Sequence, residues 1–292
     1  MGDVGEGTKR IEIVAHRGTR EGAEEHTFAA YRKAIADGAD ALECDVRLTA
    51  DGHLVCVHDR RVDRVADGRG LVSELELADL AQLQFGPRRE WRPLAVDRRR
   101  VAKGLGSGPA LRATEGPEFD ASGVLTLHRL LELVATAARP VKLAIETKHP
   151  TRYGPLVEQR LVELLDVFGW AHPRLGQASP VRVMSFSPGS MRRMGQLAPS
   201  LDRVLLLARV PVRFRDGTLP HGCTSAGVDI RIIRKHPEYV AAAHAKGNLV
   251  AAWTVNELAD VDRCVRAGVD TIITDRPLTV SHHLAHAHRM AG

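Results

Sequence analysis

Short apolar runs alternate with longer amphipathic stretches along this chain, and the alternation predicts its architecture. Runs rich in Val, Ile, Leu and Ala, bounded by turn-forming residues, read as strands at Ile11–Ala15, Ala41–Val46, Leu54–His58, Val141–Thr147, Val181–Phe186, Arg203–Leu207, Ala226–Ile230, Leu249–Thr254 and Thr271–Thr274. Helical spacing of apolar positions predicts helices over Thr27–Asp37, Glu76–Leu83, Thr126–Ala138, Pro155–Phe168, Pro188–Leu197, Pro237–Lys246 and Glu257–Ala267. Strands that alternate with helices form a parallel sheet covered by helices. Nine candidates for eight places, in 292 residues, point to a TIM (β/α)8 barrel in one domain spanning the chain. The weakest of the nine strand candidates is Ala226–Ile230, for which a loop segment is the alternative reading.

Two connections depart from the repeat. Between Asp45 and His58 there is no room for a crossover helix, and Thr49-Ala50-Asp51-Gly52 is a turn signal, so this link returns as extended chain. The other is Gly86–Gly123, an insertion after the third strand, rich in Arg, Gly and Pro and without periodicity. It falls on the loop side, where barrels keep their active sites.

Composition adds limits. The chain is 44% hydrophobic and 26% charged, ordinary globular values, and aromatics at 4% imply an aliphatic core. No run approaches a membrane span, and the N-terminus lacks the regions of an export signal, so a cytoplasmic protein is expected. Cys44, Cys56, Cys223 and Cys264 lack metal spacing and read as reduced and buried. The formal charge is +5, and Gly86–Lys103 alone holds seven basic residues against two acidic ones. Elsewhere the charges balance, which argues against a nucleic-acid face. The basic stretch reads first as a solvated loop, and second as a surface for an anionic substrate or membrane. The histidine-rich tail from Ser281 reads as a frayed terminal segment. Oligomeric state is not legible in the sequence.

The chemistry gathers at strand ends. Residues two apart in a strand share a face, so Glu43 and Asp45 point the same way and Cys44 opposite. Glu146 and Lys148 repeat the arrangement. Buried carboxylates need partners. Glu43 and Asp45 alone could equally pair with Arg17 and Arg47; Glu146 at the same barrel end favours a shared hard divalent cation, Mg2+ or Ca2+. His16 and His58 each close a strand, and a pair of histidines around carboxylates suits proton transfer near neutral pH. Arg17 and Lys148 add cations, which indicates an anionic substrate group, best a phosphate.

In this order, VAHRG, ALECDVRLTADGHLVCVHD, AIETK, MSFSP, AAWTVNE and GVDTIITDRP resemble the glycerophosphodiester phosphodiesterase family, from about Ile11 to Pro277. The resemblance implies a TIM barrel that hydrolyses glycerophosphodiesters to glycerol phosphate and an alcohol with one divalent metal. It implies Glu43, Asp45 and Glu146 as metal ligands, His16 and His58 as the acid/base pair, and Arg17 and Lys148 on the phosphate. It further implies Glu25 as the partner fixing Arg17, and Trp253 as a pocket wall; Ser185 and Phe186 are expected to be structural. The sequence departs from the family at His26, where an amide is usual, at Thr147 and at His128. The rivals are a lysophospholipase D-like enzyme making peripheral contact with lipid, supported by the basic insertion with Trp91 and Leu94, a Schiff-base lyase using Lys148, and a non-catalytic binding barrel.

Overall fold

The computed structural model of the chain describes residues 10–86 and 123–291. Nine strands run in chain order: β1 Glu12–His16, β2 Ala41–Leu48, β3 Leu54–Cys56, β4 Lys142–Thr147, β5 Val181–Ser185, β6 Asp202–Leu207, β7 Ser225–Asp229, β8 Leu249–Trp253 and β9 Thr271–Thr274. All but β3 are parallel to their neighbours in the order β1-β9-β8-β7-β6-β5-β4-β2, and β1 pairs with β2 to close the ring. This is an eight-stranded parallel barrel wrapped by helices, a TIM barrel. The surplus candidate is β3, antiparallel to β2 and outside the ring, whereas the weakest candidate, Ala226–Ile230, is a full barrel strand. The Asp45–His58 link does return as extended chain, but as a hairpin arm. Its turn is fixed by Thr49, whose hydroxyl donates to Asp51 at 2.6 Å and accepts from the His53 backbone N–H at 2.9 Å.

Period-two alternation sorts the barrel side chains into layers. Val14, Ala41, Ala144, Met184, Val204, Leu206, Ala251 and Ile273 fill the middle of the ring. Their outward neighbours, such as Leu42, Cys44, Leu143 and Ile145, form the larger core beneath the helices. A third small core of Val55, Val57, Val62, Val72, Leu75 and Leu80 builds a lobe onto β3. The expected insertion at 86–123 lies, between its two end residues, outside the described residues.

Most helices match their expected ranges to within a few residues. Two others fall where none is expected. Ile230–Lys235 starts directly on β7, with Asp229 as N-cap accepting from the Arg231 N–H at 2.8 Å. Pro277–Ala291 replaces the expected frayed tail. Its first turn is tied by Glu21, which accepts from the Leu278 N–H at 3.0 Å and from the Thr279 hydroxyl, while Val280 and Leu284 are buried. Among the described residues no helix is long and apolar enough to cross a membrane.

The loop after β4 is clamped from behind. Glu158, fully buried on the helix Leu156–Val167, accepts from Arg193 at 2.7 Å and meets His149 Nε2 at 2.8 Å. Burial raises the cost of this carboxylate's charge, but His149, Arg193 and Ser190 outweigh it and lower its pKa to about 2. Removing one partner of a buried charge network leaves the others uncompensated, so Glu158→Ala should cost about 3–5 kcal/mol in chemical denaturation. Because the folded pKa is depressed, the carboxylate's contribution should be complete above pH 4.5 and lost as the pH falls toward about 2. A variant with unchanged stability at neutral pH would contradict this clamp.

Candidate active site

Strand register decides which side chains meet. His16 stands opposite Glu43 across β1–β2, and Asp45 opposite Glu146 across β2–β4. All four share the inward parity of their strands at the carboxyl end of the barrel. Glu43, Asp45 and Glu146 are 2%, 1% and 7% exposed, and each offers an oxygen within 4.8 Å of the others.

Such crowding is costly, and local cations answer it unevenly. Lys148 Nζ bridges Asp45 Oδ1 at 3.1 Å and Glu146 Oε1 at 2.8 Å. Arg17 has a left-handed backbone (φ 56°) that sends its N–H to Glu43 Oε2 at 3.0 Å, while its Nε faces Asp45 Oδ2 at 3.0 Å. The next residue, Gly18 (φ 85°), has room for no side chain, since a Cβ would lie 2.8 Å from that of Ala30. Burial works against the Asp45 charge, but the His26 hydrogen bond and Lys148 hold its pKa well below the carboxylate range. Burial and the Asp45 charge push Glu43 well above that range, and the same two causes raise Glu146 to about 7. Three buried carboxylates, two of them short of positive charge, form an oxygen-only donor set that could hold a hard metal ion.

Two histidine–aspartate pairs flank this cluster. His16 Nδ1 lies 2.7 Å from Asp275 Oδ1, and Asn256 Nδ2 donates to Asp275 Oδ2 at 2.7 Å. His58 Nδ1 lies 2.7 Å from Asp59 Oδ1, and Arg64 Nε donates to Asp59 Oδ2 at 2.6 Å. With Nδ1 engaged, Nε2 is the ring nitrogen left for exchange in each case. Burial lowers the His58 pKa, and Lys148 and Arg17 add to that against the pull of Asp45. Glu25 reaches Arg17 at 3.3 Å and also Arg64, so it joins the Arg17 and His58 sides of the site.

His16, Arg17, Glu43, His58, Glu146 and Lys148 line the polar half of one cavity of about 480 Å3. Its apolar half is Met184, Phe186, Leu206, Trp253 and Ile273. Trp253 is fixed by its Nε1–H donating to the Gly227 carbonyl at 2.9 Å and packs edge-on against Phe186 at 5.4 Å. Phe186 was expected to be structural; it lies past the end of β5 at the cavity and is 43% exposed. Ser185 is buried and donates to the Thr147 carbonyl at 2.8 Å, as a structural residue does. Arg47 does not pair with Glu43 or Asp45; its guanidinium donates twice to the His58 carbonyl, at 3.0 and 2.7 Å.

Several partners are not legible as site residues in the sequence. His26 places Nε2 2.9 Å from Asp45 and Nδ1 2.8 Å from the Tyr31 hydroxyl, which donates to the Glu43 carbonyl at 3.1 Å. Its departure from the family's amide was the available signal. Asp275 comes from a chain position 259 residues from His16, inside the quoted GVDTIITDRP. Lys148 answers the lyase rival. Burial disfavours its charge, but Asp45 and Glu146 raise its pKa, so it stays an ammonium rather than a nucleophile.

The chain matches the glycerophosphoryl diester phosphodiesterase family model over residues 16–279. It is 42% identical over 266 residues to "Probable glycerophosphodiester phosphodiesterase 1" of Mycobacterium tuberculosis, covering 91% of this chain and 89% of that protein. It is 32% identical over 275 residues to a glycerophosphodiester phosphodiesterase of Bacillus subtilis, covering 92% and 84%. Its fold matches an Oleispira antarctica phosphodiesterase solved with the product sn-glycerol-3-phosphate, with a TM-score of 0.74, 22% identity and coverage of 94% and 96%. By sequence over almost its whole length, the chain belongs to the glycerophosphoryl diester phosphodiesterase family and is an enzyme of that class.

Proposed function

We propose that this enzyme hydrolyses glycerophosphodiesters to glycerol phosphate and an alcohol, with His16 and His58 moving the protons. The observation that carries the reading is a single cavity in which two histidine–aspartate pairs, a carboxylate cluster and two cations converge. Glu43, Asp45 and Glu146 would hold one divalent cation, Mg2+ or Ca2+. When bound, it supplies Lewis-acid polarisation of a phosphoryl oxygen.

Arg17 and Lys148 bind the diester phosphate and neutralise charge that builds on its oxygens in the transition state. His58, whose pKa is lowered, is neutral near pH 7 and takes the proton of the attacking O–H as that oxygen forms its bond to phosphorus. The P–O bond to the alcohol breaks, and His16, kept in place by Asp275, gives its proton to the departing alkoxide. Solvent then returns both imidazoles to their starting states. Trp253 and Phe186 pack against the organic part of the substrate. Glu25 holds Arg17 and Arg64 in place. The apolar half of the cavity also supports a second reading, in which an acyl-bearing alcohol enters and the enzyme acts on lysolipids at a lipid surface.

His16→Ala and His58→Ala should each lower kcat by about 10²–10⁴ while far-UV circular dichroism stays unchanged. Near-normal turnover in either would remove it from the mechanism. A base with a lowered pKa stays unprotonated to lower pH, so the acid limb of kcat/KM should have its midpoint below pH 6.5; a midpoint above 6.5 would contradict the assignment of His58 as base. Chelation with EDTA should abolish release of alcohol from glycerophosphocholine, and Mg2+ or Ca2+, added back separately, should restore it. Activity that persists in EDTA would refute the cation. Faster turnover of lysophosphatidylcholine than of glycerophosphocholine would favour the lysolipid reading.

A further inference from the structure

A second cavity, of about 330 Å3, lies against the first, and Lys148 is common to both. Its polar lining is Arg47, Arg60, Arg152, Lys148, Ser73 and Thr151. Four cations and two hydroxyls line it, and no acidic side chain does among the described residues. Charges of one sign gathered in a concave site attract a counter-charge of matching size.

The two walls come from different parts of the chain and are braced together. One wall is the lobe carrying Arg60 and Ser73; the other is the loop after β4, carrying Thr151 and Arg152. The Tyr153 hydroxyl donates to the Ser73 carbonyl at 2.6 Å, and Arg152 pairs with Glu74 at 3.4 Å while its guanidinium lies 5.9 Å from the Tyr153 ring centre. The groove is therefore set before anything enters it, which limits the ordering cost of binding.

Lys148 and Arg152 have carboxylate partners of their own, but neither Arg60 nor Arg47 is paired with one among the described residues. The Arg60 side chain is exposed and has no hydrogen-bond or ion-pair partner among the described residues. Arg47 spends two N–H groups on the His58 carbonyl. The groove thus touches the reaction site twice, through Lys148 and through the backbone of His58.

We infer that this groove binds a second phosphate group, so that the enzyme prefers diesters whose alcohol itself carries a phosphate. Planar guanidinium groups match phosphate oxygens in pairs, and hydroxyls such as Ser73 and Thr151 donate to the remainder. The substrate preference rests on the hydrolysis proposed above; the groove's affinity for phosphate does not. The same chemistry would accept free inorganic phosphate, and the two sources separate by experiment.

The test compares glycerophosphoinositol with glycerophosphoinositol 4-phosphate, using the wild-type enzyme and the Arg60→Ala/Arg152→Ala double variant. Arg152 is about half exposed and Arg60 is exposed, and neither lines the reaction cavity. The expected result is a KM about 10- to 100-fold lower for the phosphorylated substrate, an advantage erased in the double variant while kinetics on the unphosphorylated substrate stay unchanged. Equal KM values, combined with an inhibition or activation by inorganic phosphate that disappears in the double variant, assign the groove to the free anion and overturn the substrate preference. Binding of radiolabelled inorganic phosphate by equilibrium dialysis reads the groove without turnover: wild type should bind one phosphate more than the double variant. Equal binding in both, with equal KM values, overturns the groove altogether. If neither diester is hydrolysed but that difference in binding persists, the hydrolytic reading fails and the phosphate groove stands.

Discussion

Three carboxylates buried within reach of one another at a barrel mouth cannot all hold their charge unless positive charge is brought to them. Asp45 is served by Lys148, Arg17 and His26 and stays ionised, whereas Glu43 and Glu146 are left wanting. Much of the surrounding structure answers this one requirement. Arg17 takes a left-handed backbone to reach two of the acids, Gly18 lets the chain press onto Ala30 directly behind it, and the Glu158 clamp fixes the loop that delivers Lys148. Carboxylates left short of positive charge inside an aliphatic ring form a donor set that could hold a metal ion, which would complete the balance.

The hairpin between β2 and β3 follows from the same requirement. A crossover helix after β2 would send the chain to the outside of the barrel and return it at the bottom. The short turn at Thr49–Gly52 instead returns the chain beside β2, so that His58 arrives at the cavity that Glu43 lines. The lobe built on β3 then supplies Asp59 and Arg64 behind His58, and Arg64 closes back on Glu25 and so on Arg17. His58 and Arg17 are thereby joined in one network, and the outer face of the same lobe gives Arg60 to the neighbouring basic groove.

The layout of the barrel was legible because its signals are local. Apolar runs, their parity and their spacing mark the strands, and parity alone placed Glu43, Asp45, Glu146 and Lys148 on the inner face. The strand at 225–229 was harder to see. Gly227 and Ala226 make a weak apolar run, and the strand depends on pairing with β6 and β8 on both sides rather than on its own side chains. The C-terminal helix was missed because its start is secured by Glu21, more than 250 residues away, and among the described residues its buried side chains are Pro277, Val280 and Leu284.

The sequence by itself determined the fold class, the facing of the strand-end acids and the motif order that marks the family, because each is carried by residues a few positions apart. Which aspartate steadies which histidine, that His26 rather than Arg47 attends Asp45, and that Phe186 faces the cavity were decided by the tertiary structure. Those relations join residues from strands that become neighbours only when the ring closes, and a chain read in one dimension holds no record of distance across it. Ring closure also sets the register, and register fixes whether a charge finds a partner or stands alone.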